Sequence, residues 1–393
     1  MDGQTAPRSP LLPMTDFDWI ANQHDFEGVL DQLQRADAYA LDTEFHRERT
    51  YLPRLALVQL ATRHRITLVD ALAVDLRPIR TIFARESVCV MHAGSQDLEI
   101  LELACDAVPR RIFDTQVAAL FCGYRTTSLG RLVEGVLGVS LDKSAQLTDW
   151  IRRPLPQSDL RYAASDVAHL LDLRDALSEA LEKRGRLHWA EEEIERLRSK
   201  DRTPPDPETL WWKLRGKTKL GGKARGVAQE LAIWRDQTAK QLNRPPRSVL
   251  SDMALMALAQ RPPKRAQQLR GVRGLDPRHL KHADELLAAI ERGVELPKSA
   301  LRLPPKPPEP RANVEGVVSL CLAWLGQRAA MEDLDPSVLG TRDDVASLVL
   351  GEPSRLSTGW RNALVGGELR SIIDGTAVLR VEGNALELLD RLP

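Results

Sequence analysis

The chain has 393 residues, 43% of them hydrophobic, enough for two or three domains that each bury a core. Its formal net charge is zero, and its four cysteines (Cys89, Cys105, Cys122 and Cys321) show no C-x-x-C spacing, which excludes a disulfide scaffold and a zinc ribbon. No run approaches a membrane span and no apolar leader opens the chain, so the expectation is a soluble, cytoplasmic monomer without a membrane partner.

Residues 1–15 are polar and Pro-bearing, the composition of a disordered terminus. Phe17–Ile20 reads as a short strand or turn, and Phe26, Val29, Leu30 and Leu33 follow with helical spacing. Ala38–Phe45 then reads as a buried strand, with Tyr39, Leu41 and Phe45 on one face. Its other face carries Asp42 and Glu44. An inward acid pair is costly without a positive partner, and no Lys or Arg alternates with it. A hard divalent cation fits carboxylate oxygens; a solvated, inert pair at the strand's end is the alternative.

Two apolar β-type runs follow, Leu55–Ala61 and Arg65–Asp70, close enough for a meander. Leu76–Ala84 reads as helix, Val88–Met91 as strand, and Ser95–Leu103 as a helix with Ser95 as its N-cap. Asp97 falls in that helix's first turn, where the helix dipole alone would account for an acid. Ile112–Asp114 reads as a fifth strand, and nearly everything beyond Thr115 as helix. The order implies an α/β domain: a mixed sheet with helical cover. Gln157–Arg184 is one long amphipathic stretch in which Tyr162 and Asp166, four residues apart, share a face beside the apolar stripe.

Pro-rich sequence at Thr203–Pro207 marks a boundary, and Leu303–Pro310 a second. The expected organisation is a disordered terminus (1–15), an α/β domain (16–203), a helical domain (204–297), a Pro-rich linker (298–312) and a second helical domain (313–393). The helical domain at 204–297 carries 18 basic residues against 10 acidic ones, whereas 313–393 carries 7 against 12. The basic block suits polyanion contact, the acidic one does not.

Asp42, Glu44, Asp97, Tyr162 and Asp166 together amount to four carboxylates and a phenol. Four carboxylates around one cleft cannot all stay ionised without cations, and two divalent ions would suit in-line displacement at phosphorus. The pattern resembles the DEDD family of 3′→5′ exonucleases, tyrosine subgroup, and within it the ribonuclease D family. Leu41-Asp-Thr-Glu-Phe45, His92-Ala-Gly-Ser-Gln-Asp97 and Tyr162-Ala-Ala-Ser-Asp166 resemble its three motifs in order. The two C-terminal blocks are similar to the all-α HRDC domains of that family.

The resemblance implies a ribonuclease H-like domain with a five-stranded sheet, and a 3′→5′ exoribonuclease that releases 5′-mononucleotides using two divalent ions, Mg²⁺ or Mn²⁺. Asp42 would bridge both ions, Glu44 and Asp166 would serve the one that activates water, and Asp97 the other. Tyr162 would orient the nucleophile. RNA with a free 3′ end is the implied partner, transfer RNA precursors in particular. Candidate substrate contacts are His46, Lys143, Trp150 and Arg153, although core packing is the stronger reading of Trp150; Arg47 and Arg49 follow His46, and His92 reads as structural. Lys213, Arg215, Lys217, Lys219, Lys223 and Arg225, close to Trp211 and Trp212, form the candidate RNA-backbone patch. A DNA exonuclease and a catalytically silent RNA-binding adaptor are the rival functions.

Overall fold

A computed structural model describes residues 16–141, 148–305 and 314–390. The described residues divide into two compact units, one made of 16–44, 55–141, 148–200 and 314–390, the other of 45–54 and 201–305. Among the described residues no helix is long and apolar enough to cross a membrane.

The first unit is built on a sheet of β1 (Phe17–Ile20), β2 (Ala38–His46), β3 (Arg54–Ala61), β4 (Ile66–Asp70), β5 (Val88–Met91) and β6 (Ile112–Asp114), in the order β1-β4-β3-β2-β5-β6. It has six strands where five were expected. The additional one is β1, which adds in parallel to β4. The β3–β4 pair is antiparallel, while β2–β5 and β5–β6 are parallel. Seven of the eight β3 residues and all of β4 are buried, as strands covered on both faces must be.

The unit's first eight helices are α1 (Gln23–Leu33), α2 (Arg80–Phe83), α3 (Ser95–Cys105), α4 (Thr115–Phe121), α5 (Leu129–Leu137), α6 (Gln157–Ala168), α7 (Leu170–Lys183) and α8 (Leu187–Arg198), of which α4, α6, α7 and α8 pack on strands of the sheet. The single long helix expected from Gln157 is two, broken at His169 (φ −115°, ψ 4°). The break keeps one apolar stripe buried in both halves, from Leu160, Ala163 and Val167 to Leu170, Leu173 and Leu177. Ala40 of β2 shares a core with Ala163 and Ala164 of α6. The period of two then turns Asp42 and Glu44 to that same face of the sheet.

Residues 314–390 group with this unit. Trp360 stacks on Trp189 of α8 with centroids 5.0 Å apart, and meets Phe121 of α4 edge-on at 5.1 Å. Arg361, 3% exposed, pairs with Glu193 of α8, and Arg186 pairs with Glu332 at 2.9 Å. This region is helical up to Ile373, as expected, but then ends in a two-stranded hairpin, β7 (Ala377–Glu382) with β8 (Ala385–Asp390), where helix was expected.

The second unit holds α9 (Lys223–Gln241), α10 (Pro246–Val249), α11 (Asp252–Gln260), α12 (Ala266–Leu269) and α13 (Ala283–Glu295) around Trp211, Leu231, Leu255 and Leu286. Gly226 and Gly293 let α9 and α13 meet backbone to backbone; a Cβ on either would clash with the other helix. The segment Phe45–Arg54 is tied into this unit by Tyr51. Its hydroxyl donates to Asp236 Oδ1 at 2.7 Å, its N–H donates to Asn243 Oδ1 at 3.2 Å, and Lys240 lies over its ring.

Candidate active site

The central strand and α6 together make the acidic site. Oxygens of Asp42, Glu44 and Asp166 all lie within 4.8 Å of one another, and the three side chains are half-buried. No Lys or Arg forms an ion pair with them among the described residues. Burial, followed by repulsion from Asp166 and Asp97, pushes Glu44 up to about 8. Burial also pushes Asp166 up to about 7, against the Tyr162 hydroxyl bond that favours its ionised form. Asp42 is held well above the usual carboxylate range by burial and by Asp97, Asp166 and Glu44.

Asp97 stands on α3, 7% exposed, and its Oδ1 accepts a hydrogen bond from Thr43 Oγ1. It belongs to the same electrostatic cluster but not to the group of three oxygens within 4.8 Å. Burial raises its pKa and the Thr43 bond opposes that. The Tyr162 phenol is pushed far above its ordinary value by burial and by Asp166, Glu44 and Asp42. Trp150 lies 6.3 Å from its ring, centroid to centroid.

Such a site carries more negative charge than it can hold at neutral pH. Protons partly relieve it; a divalent cation would relieve it more completely. The donors are all oxygens, which is the set hard cations take.

Residues 17–182 match the family model described as 3′-5′ exonuclease, and residues 224–290 match the HRDC domain. The crystal structure of Escherichia coli RNase D, an exoribonuclease involved in structured RNA processing, matches with a TM-score of 0.82 and 28% identity, over 92% of this chain and 99% of that one. Over 376 residues the chain is 34% identical to ribonuclease D of Gluconacetobacter diazotrophicus, spanning 94% of this chain and 95% of that protein. Ribonuclease D of Nitrobacter hamburgensis is also 34% identical, over 95% of this chain and all of that protein. The chain belongs to the ribonuclease D family. It is a 3′→5′ exoribonuclease.

The substrate contacts expected for a ribonuclease D fare unevenly. Trp150, 7% exposed, is a core residue that backs Tyr162. Arg153 spends all five of its N–H groups inside the fold. Asp70 accepts two of them at 2.6 and 2.8 Å, and the carbonyls of Ala56, Trp150 and Arg152 accept the others at 2.7–2.9 Å. It is a latch between the loop before α6 and the β3–β4 pair, with no donor left for RNA. Lys143 lies outside the described residues. His46 closes β2, half-buried.

In the basic cluster, Lys213, Arg215, Lys219 and Lys223 are exposed. Lys217 donates to the Trp212 carbonyl, and Arg225 donates to that of Leu220 at 2.8 Å. His92 Nδ1 sits 2.9 Å from Thr115 Oγ1, consistent with its structural reading.

Two residues carry more than their sequence context suggests. Thr43 stands inconspicuously between two acids, yet it holds Asp97. Asp114 reads only as the end of a strand, yet it anchors the turn before α3. Ser95 is not the N-cap of that helix but its first residue; Gly94 occupies the cap with no side-chain bond.

Proposed function

We propose that this exoribonuclease hydrolyses the terminal phosphodiester of RNA with two divalent ions, Mg²⁺ or Mn²⁺, held by Asp42, Glu44, Asp97 and Asp166. The crowding of three carboxylate oxygens within 4.8 Å, with no basic ion-pair partner among the described residues, carries this reading. Asp42 would serve both ions, Glu44 and Asp166 one, and Asp97 the other. When bound, the ions would supply Lewis acidity, lowering the pKa of water and screening the phosphate.

The chain's own groups do the positioning. Tyr162 stays protonated at neutral pH, because burial and three carboxylates raise its pKa. A protonated phenol can donate a hydrogen bond to the attacking water's oxygen but cannot remove its proton. Its role is therefore orientation, with Trp150 fixing the ring from behind. Water oxygen bonds to phosphorus and gives up a proton to solvent, the bond to the 3′-oxygen breaks, and the departing 3′-oxygen takes a proton from solvent. A 5′-mononucleotide leaves, and the RNA is one residue shorter.

The substrate we infer is RNA with a free 3′ end, in particular 3′-extended transfer RNA precursors, met by a monomer in the cytoplasm. The exposed Lys213, Arg215, Lys219 and Lys223, just ahead of the HRDC match at 224–290, would hold the RNA backbone without sequence preference. A 3′-extended transfer RNA incubated with Mg²⁺ or Mn²⁺ tests this, with products resolved at single-nucleotide steps beside a matched DNA oligonucleotide. The expected result is a ladder of RNA products lost in Asp42→Asn. Equal or faster cutting of DNA would overturn the substrate assignment.

A further inference from the structure

The turn between β5 and α3 sets where Asp97 stands, and a carboxylate with no part in the chemistry holds that turn. Asp114 is fully buried at the end of β6, in register with Met91 at the end of β5. Its Oδ1 accepts from the N–H groups of Gln116 (2.9 Å), Val117 (3.1 Å) and Ala93 (3.2 Å). Its Oδ2 accepts from the N–H of Gly94 at 2.8 Å. No ion pair among the described residues involves Asp114, so four backbone amides meet its charge.

Capping α4 needs only the bonds to Gln116 and Val117. The other two go to a turn the chain does not adopt cheaply. Ala93 takes the left-handed region (φ 57°), and a Cβ on Gly94 would stand 3.0–3.1 Å from the Met91 side chain. Thr115 adds a third tie, its hydroxyl 3.1 Å from the Met91 carbonyl and 2.9 Å from His92 Nδ1. The helix starts at once, Leu98 N–H bonding the Gly94 carbonyl at 3.0 Å, with Asp97 between them.

We propose that Asp114 is a positioning residue for the reaction: it locks the β5–α3 turn so that Asp97, steadied from the other side by Thr43, is set to hold the second divalent ion. This rests on the two-ion reading above. A residue that merely stabilised the fold would affect both ion sites alike, or neither.

Asp114→Asn spares the cap and breaks one of the two bonds to the turn. The Asn oxygen keeps the bonds to Gln116, Val117 and Ala93, while its amide meets the Gly94 N–H donor against donor. The test is a Mn²⁺ titration of the full-length, chelator-stripped protein, following free Mn²⁺ by its paramagnetic resonance. Wild type is expected to bind two ions. The variant should keep the first within about twofold and bind the second at least ~10-fold more weakly, with kcat down ~10–100-fold and KM for RNA nearly unchanged. Leu173→Ala, a cavity in α7, is the control for lost stability and should leave both affinities intact. Should Asp114→Asn fail to fold, Thr115→Val is read the same way, with Thr115→Ser restoring the second site. An unchanged second affinity, or equal loss of both, overturns the proposal. If wild type binds no Mn²⁺, the two-ion reading fails and takes this inference with it.

Discussion

Two partly buried clusters of charge in the first unit are built on opposite principles. Where the C-terminal region docks, Glu193 faces Arg361, and Arg355 grips Asp344 through two hydrogen bonds of 2.6 and 3.1 Å. Burial pushes Glu193 up, but Arg361 and Arg196 outweigh it and hold its carboxyl below the usual range. On the acidic face the same burial meets no cation, and Asp42, Glu44 and Asp166 all rise. A balanced cluster holds parts of a protein together. An unbalanced one costs stability and binds what would balance it.

Asp42→Asn cuts deepest into that contrast. Nucleotide release should fall by on the order of 10³-fold or more, since Asp42 would serve both ions. The metal-free variant should nevertheless be more stable than wild type by ~1 kcal/mol, because a repelling charge is gone. Thermal melts in chelator check the second claim, and a less stable variant would break the contrast.

Glu193→Ala should do the reverse. Leaving Arg361 buried without its partner should cost about 3 kcal/mol, while activity per folded molecule stays near wild type. Denaturant unfolding and active-site-normalised rates read both.

Smaller in size is the pH effect. Glu44 near 8 and Asp166 near 7 bind protons in the native state that unfolded carboxylates release at about pH 4. The native state then holds more protons than the unfolded one, so stability falls as pH rises from about 4 to 8. Chelated protein should melt lower at pH 8 than at pH 5.5, and Mn²⁺ should flatten the difference. A flat chelated profile would say the cluster is not strained.

The smallest effect is expected outside the catalytic unit. Changing Lys213, Arg215, Lys219 and Lys223 to Gln should weaken RNA binding roughly tenfold and reduce the salt slope by up to ~3, with kcat unchanged. A salt slope equal to wild type would remove the patch from RNA binding.

Much of the catalytic face is legible in the sequence, for local reasons. Asp42 and Glu44 share a face because a strand alternates, and Tyr162 and Asp166 because a helix repeats. The features that stay hidden depend on partners distant in sequence. Arg153 reads as available for phosphate, but Asp70 and the Ala56 carbonyl take its donors. The break at His169 leaves no trace, because the apolar stripe runs through it unbroken. The C-terminal region's docking hangs on Trp360 meeting Trp189 and Phe121, a contact no periodicity encodes. The hairpin is legible in principle: Val378–Leu389 alternates around Gly383, which sits at φ 60°.

The most direct test of the unbalanced cluster is calorimetric titration of Mn²⁺ into the full-length, metal-stripped protein at pH 7.5, repeated in buffers of different protonation enthalpy. Saturable binding of two ions is predicted, with net proton release as Glu44 and Asp166 give up theirs, and with loss of both ions in Asp42→Asn. No saturable binding, or binding that Asp42→Asn leaves unchanged, would contradict it.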